Sequence, residues 1–197
     1  MITPTSLPGG VVLRPLEIDD APALLASYRR SREHLRPWEP IRPESFWTLD
    51  GQRARVDAMV QMQKDGRELS CGLFRDDRLV GCATLGSVVL GAWQNAHLGY
   101  WIDVTEIGKG LATAAVTALC RIGEQDLGLH RIQASTNPDN TASQRVLAKN
   151  GFVHYGSAPD YLYINGRWTD SHLFQRILHD REPGDPNDYQ AWREVNS

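Results

Sequence analysis

The chain has little cysteine, no excess of basic charge and no long apolar run. Its three cysteines, Cys71, Cys82 and Cys120, are odd in number and none stands in a Cys-x-x-Cys spacing. That argues against a zinc site and against a disulfide framework, and predicts three small buried apolar residues instead. The six histidines are scattered without the spacing of metal ligands, so no metal is expected. The most apolar stretch, around Val80 to Trp93, is broken by glycines and lacks the roughly 18 to 20 apolar residues of a membrane span. No charged segment leads into an apolar one at the N-terminus, so no signal peptide is expected and the cytoplasm is the default compartment. Net charge is −3. From Asp180 to Ser197 five acids face two arginines, which leaves the rest of the chain balanced. With no basic stripe on any predicted helix, a nucleic-acid partner is not expected.

What remains is the composition of one enzyme-sized globular unit. A chain of 197 residues can bury about 70% of its unfolded surface, enough for a substantial core. Hydrophobic residues at 41% and charged residues at 23% exclude both disorder and a fibrous repeat. The expectation is a single domain over 1–178 followed by an acidic tail over 179–197, in which Trp192 is placed to dock on the body.

The element pattern is α+β. Val11 to Leu16 reads as a first strand, and Asp19 or Asp20 with Pro22 just behind it reads as the start of a helix reaching about Ser31. Prolines between Arg36 and Glu44 break it, and a second helix follows over about 49–64. A strand pair across the Asp76-Asp77 turn, a strand over 96–102, and then helix 110–126, strand 130–135, helix 140–150 and strand 152–157 come next. A last strand covers about 169–177. The segment from Asp160 to Trp168 reads as a loop. The expected architecture is a mixed, mostly antiparallel twisted sheet of about seven strands flanked by about four helices.

The most informative stretch is Tyr100-Trp101-Ile102-Asp103 followed by Gly108-Lys109-Gly110-Leu111-Ala112. An apolar strand runs there into a glycine turn that opens a helix, whose buried face is marked by Leu111, Ala114, Ala115, Ala118, Leu119 and Ile122. The first N–H groups of a helix have no intrahelical partner and the dipole adds positive character, so such a turn can cradle a pyrophosphate. Further on, Asn137-Pro138-Asp139-Asn140-Thr141-Ala142-Ser143 precedes a short helix closed by Asn150-Gly151.

This pair of stretches resembles the GCN5-related N-acetyltransferase (GNAT) superfamily, over roughly Val11 to Leu178. Three further segments resemble the RimJ/RimL branch of ribosomal-protein N-terminal acetyltransferases, RimJ more closely: Ser31 to Pro40, Gly99 to Ile102, and Asp160 to Trp168. The resemblance implies an acetyl-CoA-dependent N-acetyltransferase acting on an amine, foremost the N-terminal α-amine of a ribosomal protein, and a possible homodimer. Acetylation of a small amine is the alternative within the same chemistry, and a CoA-binding sensor or interaction module without turnover is the alternative outside it. The family's Arg/Gln-x-x-Gly-x-Gly/Ala loop, which holds the pyrophosphate of acetyl-CoA, falls on residues 107–112, with Ile107 where Arg or Gln is usual. CoA binding is expected to survive on main-chain donors with one anchoring contact missing. The resemblance thus implies a CoA site made of Trp101, Ile102, Ile107, Gly108, Lys109, Gly110, Leu111, Ala112, Thr113, Asn137, Asn140 and Ser143.

Attack of an amine on a thioester needs a neutral amine, a polarised carbonyl and a proton for the departing thiolate. An α-amine (pKa near 7.7 to 8.0) is about 3.5 kcal/mol easier to deprotonate at neutral pH than a lysine, so a weak base suffices. Ser143, in the Asn-x-x-Ser position, is the candidate to meet the CoA sulfur. Asn140 can cap the helix with its oxygen and keep its nitrogen for pantetheine. Asp160 is the favoured base, with Glu39 and Glu44 as alternatives and water as the bland possibility for each. Trp38, Phe46, Trp47, Tyr100 and Tyr161 are candidate walls of an acceptor groove to which Glu39 also belongs, although aromatics of this kind are more often core or rim packing.

Overall fold

The structure, a computed structural model, describes residues 2–182; the expected docking of Trp192 lies outside the described residues. Eight strands form one sheet: β1 (Thr5–Leu7), β2 (Val11–Pro15), β3 (Leu69–Arg75), β4 (Arg78–Val89), β5 (Asn95–Ile102), β6 (Arg131–Thr136), β7 (Val153–Ile164) and β8 (Arg167–Ile177). Four α-helices accompany it: α1 (Ala21–Leu35), α2 (Leu49–Lys64), α3 (Leu111–Gln125) and α4 (Thr141–Lys149). The strand order is β1-β2-β3-β4-β5-β6-β8-β7. Every neighbouring pair is antiparallel except β5–β6.

Alternation along the strands feeds two cores. Leu13, Leu73, Val80, Leu85, Leu98 and Ile132 face α3 and α4, whose Leu119, Ile122 and Leu147 complete that side. On the other side Leu16, Leu24, Tyr28, Val56, Phe74 and Leu79 gather under α1 and α2. The three cysteines are free and buried, as their spacing predicts. No described helix is long and apolar enough to cross a membrane.

The parallel pair is the feature that positions the site. β5 and β6 are in register only from Asn95–Arg131 to His97–Gln133, after which they diverge. The far end of β5 is fastened to α1 instead. Asp103, fully buried, accepts from Ser27 Oγ at 2.7 Å and from Arg30 Nε at 3.0 Å, and takes both the N–H and the hydroxyl of Thr105. Burial alone would push this carboxyl up, but those hydrogen bonds hold it down at about 2.

Three elements depart from the sequence expectation. Thr5–Leu7 is a strand, returned to β2 by Gly9 and Gly10, both at positive φ. α1 runs on to Leu35, stopping just ahead of Pro37 where the backbone tightens into a 3-10 turn. The supposed loop from Asp160 to Trp168 is instead the end of β7 and the start of β8, joined by Asn165 (φ 47°) and Gly166 (φ 80°). Asn-Gly at two positive φ angles is the two-residue turn that matches strand twist.

Candidate active site

A cavity of about 690 Å³ opens along the line where β5 leaves β6. At one end it meets the start of α3. Gly110, at φ 79°, is the residue from which the helix departs, and the first helical bond runs from Ala114 N to Gly110 O at 3.1 Å. The N–H groups of Leu111, Ala112 and Thr113 precede that bond and have no partner among the described residues. A Cβ added at Gly108 or Gly110 would meet nothing within 4 Å; both residues line open space. Positive φ is therefore what requires glycine at 110, and the turn suits an extended anionic ligand approaching along the main chain.

Beneath the turn lies Glu106, 3% exposed, its oxygens taken by Arg75 Nη1 at 2.7 Å and Lys109 Nζ at 3.1 Å. The Arg75 hydrogen bond foremost holds this carboxyl below its usual range. Lys109 points to that carboxylate and does not line the cavity, whereas Ile107, 51% exposed, does.

Midway along the cavity Tyr100 from β5 meets Ser143 from α4. The two hydroxyl oxygens are 2.8 Å apart, and the phenol also reaches the Ser143 carbonyl at 3.2 Å. Burial pushes the Tyr100 phenol up to about 12 against the lowering effect of the Ser143 bond. Asn140 caps α4, its Oδ1 accepting from Ser143 N at 3.0 Å. A second cavity of about 170 Å³ adjoins the first, and both share Trp38, Gly99, Tyr100, Asn140 and Ser143. The hydroxyl pair thus stands at the junction. Asn137 lines the smaller cavity while its Oδ1 accepts from Asp139 N at 2.9 Å.

The far end of the larger cavity is walled by the segment after α1. Trp38, Glu39 and Arg42 line it, and Trp101 packs at a tilt of 39° on buried Tyr28 with ring centroids 4.5 Å apart. Glu39 Oε2 accepts from Arg42 Nε at 3.3 Å, and its carbonyl accepts from Asn165 N at 3.0 Å, which pins the β7–β8 turn over this wall. Cys82 also lines the cavity; burial pushes its thiol up to about 12, which leaves it no nucleophilic thiolate at neutral pH.

The cavity therefore brings together Trp38, Glu39, Tyr100, Trp101, Ile102, Ile107, Gly108, Gly110, Leu111, Ala112, Thr113, Asn140 and Ser143. It does not bring in Asp160, which is exposed on β7 at φ 47° with its N–H donated to Asp170 Oδ1 at 3.0 Å. Nor do Tyr161, also exposed on β7, or Phe46, packed edge-on behind Tyr28 at 4.9 Å, line either cavity. Helical spacing also carries lining residues beyond the site that the resemblance implies. Ala142, Arg145, Val146 and Lys149 on α4 recur on one helical face, and so do Arg55 and Met59 on α2.

Comparison with known proteins agrees with this arrangement. The model of an acetyltransferase (GNAT) domain matches residues 11–153. The [ribosomal protein uS5]-alanine N-acetyltransferase of Escherichia coli is 37% identical over 176 residues, covering 88% of this chain and 91% of its own length. Among solved structures, the ribosomal-protein-S5-alanine acetyltransferase of Vibrio fischeri superposes with a TM-score of 0.88 at 30% identity, covering 92% of this chain and all of its own. RimJ of Mycobacterium smegmatis, solved in complex with CoA-disulfide, gives 0.83 at 30% identity, covering 98% of this chain and 91% of its own.

Proposed function

The chain belongs to the GNAT acetyltransferase family, and from that membership we propose that it acetylates the N-terminal α-amine of a ribosomal protein, with uS5 and its N-terminal alanine the foremost acceptor. The donor is acetyl-CoA, which supplies an acetyl group already activated as a thioester. The observation that carries the proposal is one continuous cavity that runs from the open N–H groups of α3, past the Tyr100–Ser143 hydroxyl pair, to the wall of Trp38 and Glu39.

In this mechanism the chain holds its donor with main-chain N–H groups of residues 110–113, oriented by the α3 dipole. Ile107 adds apolar contact in place of a charged anchor. Asn140 keeps α4 in place by capping it, and its amide nitrogen, which makes no bond within the described residues, is left for the pantetheine arm. Tyr100 is protonated at neutral pH and bonded to Ser143, so the pair can pass a proton toward a departing thiolate through either hydroxyl. We read transfer as direct, a reading supported by the burial that holds the cavity's Cys82 thiol protonated. The incoming α-amine needs little help to lose its proton. Glu39, at the wall of the groove, is the candidate base that lines the cavity at its acceptor end, and Asp160 would require its stretch of β7 to turn inward.

We read residues 1–178 as the catalytic domain and the cytoplasm as its compartment. The test is thiol release from acetyl-CoA with peptides carrying the uS5 N-terminus, the same peptides N-acetylated in advance, and a panel of small amines. Turnover confined to the free N-terminal peptides, with the added acetyl group mapped to the α-nitrogen by mass spectrometry, is expected. Turnover on small amines alone would overturn the protein-acceptor assignment.

A further inference from the structure

At the acceptor end of the larger cavity, positive side chains outnumber negative ones. Arg42 and Arg55 both line it, and Glu39 is the carboxylate there among the described residues. Glu39 is already engaged by Arg42 at 3.3 Å. Arg55 has no carboxylate in ion-pair range among the described residues. Its guanidinium makes two long contacts with neutral groups, Gln52 Oε1 at 3.4 Å and the Tyr28 hydroxyl at 3.3 Å. It also lies over the rings of Tyr28 and Phe46, at 5.2 and 5.3 Å from their centroids.

That is an unusual place for an unpaired cation. The turn of α2 that carries Arg55 is fixed: Gln52, fully buried, donates to the Phe46 carbonyl at 2.6 Å, and Val56 is fully buried in the core. With two ring faces nearby and only two long hydrogen bonds made, most of its five N–H donors remain free for a planar anion. We propose that Arg55 is an anion-recognition residue of the acceptor groove, which takes a carboxylate carried by the acceptor close to its reacting amine.

The proposal rests on the N-terminal acetyltransferase reading of the same cavity. Trp101, which follows Tyr100 on β5, packs against Tyr28, over which Arg55 lies, so only two ring contacts separate the guanidinium from the hydroxyl pair's neighbour. A peptide entering amine-first advances about 3.3 Å per residue, which brings the side chain of one of its next few residues beside Arg55. The same carboxylate chemistry is offered by the α-carboxylate of a free amino acid, and the experiment separates the two sources.

The experiment compares peptides that differ only in Glu or Gln at the second, third or fourth position, and amino acids with their amides. Each is assayed with the wild type, Arg55→Gln and Arg55→Lys. At one peptide position the wild type is expected to favour Glu about tenfold in kcat/KM, expressed in KM, as one charge-assisted hydrogen bond contributes. Arg55→Gln brings that ratio near 1, and Arg55→Lys, which keeps the charge without the fork, retains part of it. A merely structural Arg55 would lower both members of a pair together and leave their ratio intact. An unchanged ratio in Arg55→Gln, or no carboxylate preference in either series, overturns the proposal; should Arg55→Gln not fold, an unchanged ratio in Arg55→Lys does so. A preference confined to amino acids, with no peptide acetylated, supports the carboxylate site and removes the protein-acceptor reading. Peptides acetylated without any preference do the reverse.

Discussion

The hydroxyl of Tyr100 stands 2.8 Å from that of Ser143, a bond that ties the departing end of β5 to the first turn of α4 at the junction of two cavities. Because each hydroxyl is the other's partner, removing either one disturbs the same proton path. Ser143→Ala and Tyr100→Phe are each expected to lower kcat by about tenfold to a hundredfold, the low end for a positioned acid with a good leaving group. The Michaelis constant for acetyl-CoA should change little. The double variant should lose scarcely more than the worse single one, since neighbours in one hydrogen-bonded pair are not additive. Normal turnover in both single variants would remove the pair from the reaction.

Gly110 opens α3 from the left-handed region. Gly110→Val is expected to weaken CoA binding in calorimetry at least tenfold, because a β-branched residue strains that backbone and adds bulk where the donor's phosphates approach. Gly110→Ala should show a smaller loss in the same direction. CoA affinity unchanged in Gly110→Val would mean the turn does not face the ligand.

Ile107 lines the cavity at 51% exposure, so a longer cationic side chain has room there. Ile107→Arg is expected to tighten CoA binding modestly, about threefold, by adding a charge-assisted contact to phosphate. The gain should fade with added salt. A tenfold loss would show that the isoleucine packs against the ligand's apolar part.

Asp103 is held at about 2 in the fold against 3.8 ordinarily. Its folded value is depressed, so its stabilisation is complete above about pH 4 and is lost as pH falls through 2. The shift corresponds to about 2 kcal/mol. In urea titrations the stability gap between the wild type and Asp103→Asn should be widest near neutrality and narrow between pH 4 and 2. A gap constant over that range would place the stabilisation elsewhere.

Much of this arrangement was legible in the residues. The glycine turn, the apolar stripe of α3, the cap of α4 and the alternation of helices and strands are local patterns, and local spacing carries them. What stayed hidden depends on long-range pairing. The family resemblance puts Asp160 and Tyr161 at the acceptor groove in a segment that reads as a loop, whereas Asn165-Gly166 is a hairpin signal. Once β7 pairs with β8, Asp160 sits on an exposed strand facing Asp170. The ring of Phe46 makes it a candidate for the groove, yet packing against Tyr28 buries it. Arg55 carries no sequence signal because its meaning comes from the absence of a carboxylate partner around it among the described residues, which only three dimensions reveal.

The seam between β5 and β6 holds three register pairs, so five strands on one side and three on the other are laced together at one end only. Within β5 and β6, amide exchange is expected to be fastest along the two unlaced flanks at residues 98–102 and 134–136. A donor lodged between them supplies the absent rungs and adds RT ln(1 + [L]/Kd) to the stability of both blocks at once. Protection gained on both flanks together, in the presence of CoA, would mark the cosubstrate as a stitch as well as a reactant. In a cell the fraction of this protein open to proteolysis would then fall as the supply of acetyl-CoA rises.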